Sequence, residues 1–166
     1  MSWLTDNSDF WPTRGRALDI ACGRGRNALL IAQSGLQVRA IDRDADAIAE
    51  LRAEADRQAL PIDTGVIDLE TDPPPSLGES VYDMIVVINY LHRPLMPAIR
   101  AALRPGGRIF YETFTTRQAE RGKPRNPAFL LKDGELQELM KPLVILRSRE
   151  GDIDGRFIAS IVAESQ

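Results

Sequence analysis

From Arg16 onward, short apolar runs alternate with longer segments in which apolar residues recur every three or four positions. The short runs suit strands, the longer period suits helices with one buried face, and their alternation predicts a parallel sheet covered by helices. A first strand is expected over 17–21 and its helix over about 26–34, closed at Gly35, a residue that readily takes the left-handed conformation of a helix end. A second strand follows at 38–42, then a helix whose Ala45, Ile48, Leu51, Ala55 and Ala59 form one stripe facing the sheet. Pro61 breaks that helix, 64–69 reads as a third strand, and Pro73-Pro74-Pro75 marks an exposed connection that joins no ladder.

The stretch 83–88 is the most uniformly apolar in the chain, as a central strand buried on both faces requires. A helix beginning near Pro94, with Leu95, Ile99 and Leu103 on one face, is stopped by Pro105-Gly106-Gly107, and 108–114 makes a fifth strand. After an irregular segment, 115–131, Asp133 is expected to cap a short helix carrying Leu136, Leu139 and Met140. Two last strands, 144–149 and 157–162, are joined by the turn 151–155. So short a connection demands an antiparallel hairpin. The 166 residues are expected to form a single domain, with 1–15 as a short N-terminal cover and 115–131 as a loop or lid.

A net charge of −3 argues against a surface that holds nucleic acid by neutralising phosphates. The one cysteine, Cys22, has no disulfide partner, and the one histidine, His92, leaves few soft ligands for zinc, so no metal is expected. The first ten residues are acidic and polar where an export signal needs a basic start and an apolar run, and no segment is long enough to span a membrane. Cytoplasmic location is the expectation.

Chemistry enters at Gly23-Arg24-Gly25-Arg26-Asn27-Ala28, which follows a strand and opens a helix. Glycines there bring backbone N–H groups and a helix N-terminus close to an anionic ligand, although a tight strand-to-helix turn also needs glycine with no ligand at all. Asp42 closes the second strand about twenty positions later, where a carboxylate can accept both hydroxyls of a ribose. It could instead cap the next helix, a role open equally to Asp44. Asp68, at the end of the third strand, can accept from an exocyclic adenine amine or serve as a turn residue before Thr71-Asp72-Pro73. Together these features fit a nucleoside ligand, and both NAD and S-adenosylmethionine qualify.

The run Ala17-Leu18-Asp19-Ile20-Ala21-Cys22-Gly23-Arg24-Gly25 resembles the first motif of class I S-adenosylmethionine-dependent methyltransferases, including the acid within the first strand. The resemblance continues through Asp42, Asp68, 83–89 and Leu103-Arg104-Pro105-Gly106-Gly107. It implies a Rossmann-like α/β fold, a seven-stranded mostly parallel sheet of order 3-2-1-4-5-7-6 with an antiparallel last strand and helices on both faces. It also implies S-adenosylmethionine as cofactor, held by Asp19, Ala21, Gly23, Arg24, Gly25, Asn27, Asp42, Arg43, Asp68, Leu69 and Asn89. Gly25-Arg26-Asn27-Ala28-Leu29, 90–95, Tyr111-Glu112-Thr113-Phe114 and 126–131 are similar to the tellurite-resistance-type subgroup.

Methyl transfer from a sulfonium is an in-line displacement that alignment and exclusion of water accelerate. His92, with Tyr90 and Arg93 beside it after the fourth strand, is the expected general base or acceptor-orienting group. The alternative makes His92 a cap for the helix near Pro94. Tyr111 is taken as core or acceptor wall, and Glu112 as a solvated edge residue, with a place in that wall as the alternative. Arg117, Arg121, Lys123 and Arg125 are read as solvated loop, with a lid over an anionic acceptor as the alternative. Cys22 is expected to pack beside the cofactor. Trp3, Phe10 and Trp11 are assigned to a cover over the cofactor, a hydrophobic staple or an oligomer contact. The function expected is methyl transfer to a small molecule. A cofactor-binding module or subunit completed by a partner, and an NAD-dependent oxidoreductase, are the alternatives.

Overall fold

Side chains that alternate faces along the strands sort the core into two halves, one on each side of a sheet. The computed structural model describes residues 2–166. Among these, β1 (Arg16–Ile20), β2 (Gln37–Asp42), β3 (Ile62–Val66), β4 (Tyr82–Ile88), β5 (Leu103–Phe114), β6 (Val144–Ile153) and β7 (Arg156–Glu164) form one sheet of order β3-β2-β1-β4-β5-β7-β6. The first five strands pair in parallel, and β7 runs antiparallel to both β5 and β6. The expected order and hand of pairing are therefore those observed.

Helices α1 (Trp3–Asp6), α2 (Arg26–Gln33) and α3 (Ala45–Arg57) contribute Trp3, Ala28, Ile31 and Leu51 to one half of the core, where they meet Met84, Val86 and Phe110. The helices α4 (Met96–Ala102) and α5 (Glu135–Met140) supply Ile99, Leu136 and Met140 to the other half, against Ile85, Val87, Ile109 and Tyr111. Residues 84–87 of β4 thus send successive side chains to opposite faces, and all four are fully buried. Among the described residues, no helix is long and apolar enough to cross a membrane.

Several local expectations are corrected. β1 ends at Ile20, because Ala21 turns into the left-handed region at φ 53. β3 begins two residues earlier and ends three residues earlier than expected, which leaves Asp68 in the following loop. In α3, Ala45 is exposed and Ala47 takes its place in the buried stripe, while Ala59 lies beyond the helix. Leu103 belongs to β5 and pairs with Tyr82, so Pro105-Gly106-Gly107 forms an irregularity within the strand pair and not a helix stop. The last hairpin turns on Asp154 and Gly155 alone, at φ 51 and 81, the double positive φ that two-residue hairpins favour. Gly134, not Asp133, occupies the cap of α5.

Candidate active site

β1 to β4 all end at one edge of the sheet, and the turn after β1 stands at its centre. Gly23 and Gly25 both sit at positive φ, 55 and 80, which lets the chain reverse between β1 and α2. A Cβ on Gly25 would lie 2.3 Å from a methyl of Leu51, whereas in front of Gly23 there is nothing within 4 Å. One glycine is therefore demanded by packing, and the other leaves open space.

Asp42 faces this turn. Its Oδ2 accepts the Gly23 N–H at 2.8 Å and its Oδ1 accepts the Asp44 N–H at 2.9 Å, which occupies about two of a carboxylate's roughly four lone-pair sites. The helix cap is supplied by Asp44, which accepts from Asp46 and Ala47. Asp19 lies behind the turn, fully buried, and its Oδ2 has no hydrogen-bond partner. Burial raises its pKa to about 7, the Ala28 N–H opposes that rise, and the charge of Asp42 adds to it. Burial, then the charges of Asp19 and Asp42, also push the Cys22 thiol up, so it stays protonated.

A cavity of about 300 Å³ opens beside Asp42. Ala21, Ile67 and Leu69 give it apolar walls, and Asp42, Asp68 and Glu70 give it acidic ones. Asp68 also accepts the Glu70 N–H at 2.9 Å, so its turn role and its place in the wall coexist. Arg24 is exposed and pairs with Glu50. Arg43 lines the rim and lies 3.5 Å from Glu70.

A second cavity, of about 630 Å³, shares Tyr90 and Phe129 with the first. It extends from Asn89 past Leu91 and Phe114 to Lys123 and Arg125. A third, of about 140 Å³, lies across Asn89 and takes in Asn27, Glu112 and Trp3. Glu112 is not a solvated edge residue: it is buried, accepts from Ser160 at 2.5 Å and pairs with Arg149 at 3.2 Å. Trp3 is core, its Nε1 donating to the Ile161 carbonyl at 3.0 Å, while Trp11 donates to Leu4.

The three expected catalytic residues separate. Tyr90 stands in the wall between the two larger cavities, its pKa pushed up to about 12, first by burial and then by the charge of Glu70. His92 lines neither; its Nδ1 is 3.8 Å from Glu70 Oε1. Arg93 grips Glu135 through two hydrogen bonds, of 2.6 and 2.9 Å, and donates to the carbonyls of Ala128 and Leu130. It therefore fastens the 115–131 segment and lines none of the three cavities above. Tyr111 is fully buried core, donating to the Tyr90 carbonyl at 2.8 Å. Of the four basic loop residues, Arg117 and Arg121 lie over the Phe157 ring and Arg121 pairs with Asp152, whereas Lys123 and Arg125 reach the second cavity. Glu70 and Phe129 were not anticipated as wall residues. The acidic alternation Asp68-x-Glu70 is the available signal for Glu70; for Phe129 it is the subgroup-like stretch 126–131, since a loop aromatic carries no periodicity.

The sheet order and its glycine turn are those of the class I methyltransferase fold. The family described as tellurite resistance protein TehB has a model that matches residues 11–152, and the chain belongs to that family. The crystal structure of TehB from Haemophilus influenzae superposes with a TM-score of 0.81 at 22% identity, over 98% of this chain and 61% of that one. Over 99 residues the chain is 35% identical to hemagglutinin 1 of Eikenella corrodens, covering 55% of this chain and 32% of that protein. Over 87 residues it is 32% identical to the probable S-adenosyl-L-methionine-dependent methyltransferase TehB of Haemophilus influenzae (strain 10810), covering 51% of this chain and 29% of that protein. The matched segments thus span about a third of these curated relatives.

Proposed function

We propose that this chain transfers a methyl group from S-adenosylmethionine to a small-molecule acceptor. The observation that carries this reading is the unpartnered Oδ2 of Asp19, buried behind the glycine turn. An isolated buried carboxylate is costly, and a cationic ammonium is its natural complement. The pyrophosphate of a dinucleotide would place like charge against it, which disfavours the NAD alternative.

In this reading the carboxylate of Asp19, which lines none of the three cavities, attracts the ammonium from behind the turn, and the open face of Gly23 admits the amino-acid tail over the backbone of the turn. Gly25 keeps the turn against Leu51. Asp42 keeps lone pairs for the ribose hydroxyls, and Asp68 receives the adenine amine while Leu69 packs against the base. Ala21, Asn27 and Asn89 border the tail. Arg24 and Arg43, expected as cofactor ligands, are assigned to surface ion pairs. When bound, the cofactor supplies a methyl on a positively charged sulfur, which an acceptor lone pair displaces in line. The chain contributes alignment and exclusion of water, with Tyr90, a neutral phenol, as the orienting group at the shared wall. His92 and Arg93 are not assigned catalytic roles.

Calorimetric titration with S-adenosylhomocysteine and with NAD tests this. Binding of the first without the second is expected, followed by label transfer from methyl-labelled S-adenosylmethionine to an acceptor panel. NAD binding in place of S-adenosylhomocysteine would remove the reading.

A further inference from the structure

The larger cavity beside the donor site has a composition that selects its occupant. We infer that it is the acceptor site and that it takes a molecule with an apolar ring body and one anionic substituent; this rests on the donor assignment above.

Position is the first argument. Tyr90 and Phe129 form walls of both cavities, so an occupant of the second touches the donor compartment across them. Size is the next. Its volume of about 630 Å³ falls within the roughly 300–1,000 Å³ of pockets that take drug-sized ligands, far more than a compact inorganic oxyanion fills. Leu91, Phe114, Pro124 and Phe129 line it, and Phe129 is 46% exposed, an aromatic surface left open to a ligand. Such walls favour an apolar body.

Charge completes the case. Lys123 and Arg125 stand at the rim, exposed, and among the described residues neither forms an ion pair or a side-chain hydrogen bond, unlike Arg121 and Arg93. The donor compartment on the other side is lined by three carboxylates, of Asp42, Asp68 and Glu70, against one cation, Arg43, which pairs with Glu70. An acceptor carrying an anion is therefore repelled at one end and attracted at the other. That polarity turns its anionic group outward to the rim and its opposite end inward toward Tyr90. The rim is held in place because Arg93 fixes the carbonyls of Ala128 and Leu130.

The probes are 2-naphthoate and its neutral counterpart 2-naphthamide, titrated by fluorescence in parallel with calorimetry of S-adenosylhomocysteine. Expected is tighter binding of the naphthoate, lost about tenfold in a Lys123→Ala/Arg125→Ala double variant and weakened by salt, with naphthamide and S-adenosylhomocysteine binding unchanged. Both substitutions are on exposed side chains, and an unchanged melting temperature confirms folding. Equal affinity for the two arenes, or a double variant that binds naphthoate as well as the parent, overturns the assignment of the anion. Binding of S-adenosylhomocysteine with neither arene, or of tellurite alone, overturns the acceptor class while leaving the donor reading intact. Failure of S-adenosylhomocysteine to bind removes the donor reading and this one with it.

Discussion

Gly23 and Gly25 share a left-handed backbone but differ in what a methyl group would meet, and that difference separates folding from binding. Gly25→Ala adds left-handed strain of about 1–2 kcal/mol and an overlap with the fully buried Leu51 side chain worth roughly 1–3 kcal/mol. It is expected to lower the melting temperature sharply. Gly23→Ala carries only the strain of about 1–2 kcal/mol, because nothing lies within 4 Å, so the variant should fold. Its methyl occupies the open face of the turn, and affinity for S-adenosylhomocysteine should fall at least tenfold. A Gly23→Ala protein that melts lower yet binds normally would place the cofactor elsewhere. Asp42→Ala tests the same pocket from the other wall: the two N–H groups it accepts lose a charged partner, each worth about 1.5–3 kcal/mol. Reduced stability together with weakened S-adenosylhomocysteine binding is the expected result.

Among the elements, the clamp from Arg93 to Glu135 ties the turn that precedes α4 to α5 and to the 115–131 segment. Arg93→Met keeps the apolar stem but leaves Glu135, only 17% exposed, without its cation, at a cost of about 2–3 kcal/mol. Limited proteolysis should then cut within 115–131, and S-adenosylhomocysteine affinity should fall modestly because Phe129, between the two released carbonyls, lines the donor cavity; a loss of turnover without added cleavage would restore Arg93 to a catalytic role. That such a clamp exists was not legible in the sequence, where Arg93 stood next to His92 and invited a catalytic reading. The pattern of periods located the strands, with β3 displaced, because period acts locally; the order of the sheet came from the resemblance to class I methyltransferases and not from the pattern. The pattern also found Gly23, Asp42 and Asp68, whose spacing follows from strands ending at one edge. Tertiary packing decided the rest: which side of a loop His92 turns to, that Glu112 is buried beneath Arg149, and that two of four basic residues lie over Phe157 while two reach a cavity.

For the whole molecule, the buried acid of β1 sets the demands of the fold against those of the site. Asp19 holds its proton up to about pH 7 in the folded chain but loses it near the ordinary carboxylate value when unfolded. Between those two values the native state binds the extra proton, so stability falls as pH rises, by at most about 1.4 kcal/mol per unit from this group, and levels off above 7. A bound ammonium reverses the preference, since it favours the ionised carboxylate. Affinity for S-adenosylhomocysteine should therefore climb from pH 5.5 to pH 7.5, and the ligand should raise the melting temperature more at pH 8 than at pH 6. Asp19→Asn removes the titrating group while nearly preserving its shape. That variant is expected to be more stable than the parent at pH 8 without ligand, to bind S-adenosylhomocysteine at least tenfold more weakly there, and to lose most of the pH slope in affinity. Thermal melts and calorimetry across this range decide the matter: a parent protein whose affinity is flat from pH 5.5 to 7.5 would mean that the ammonium is not held by Asp19.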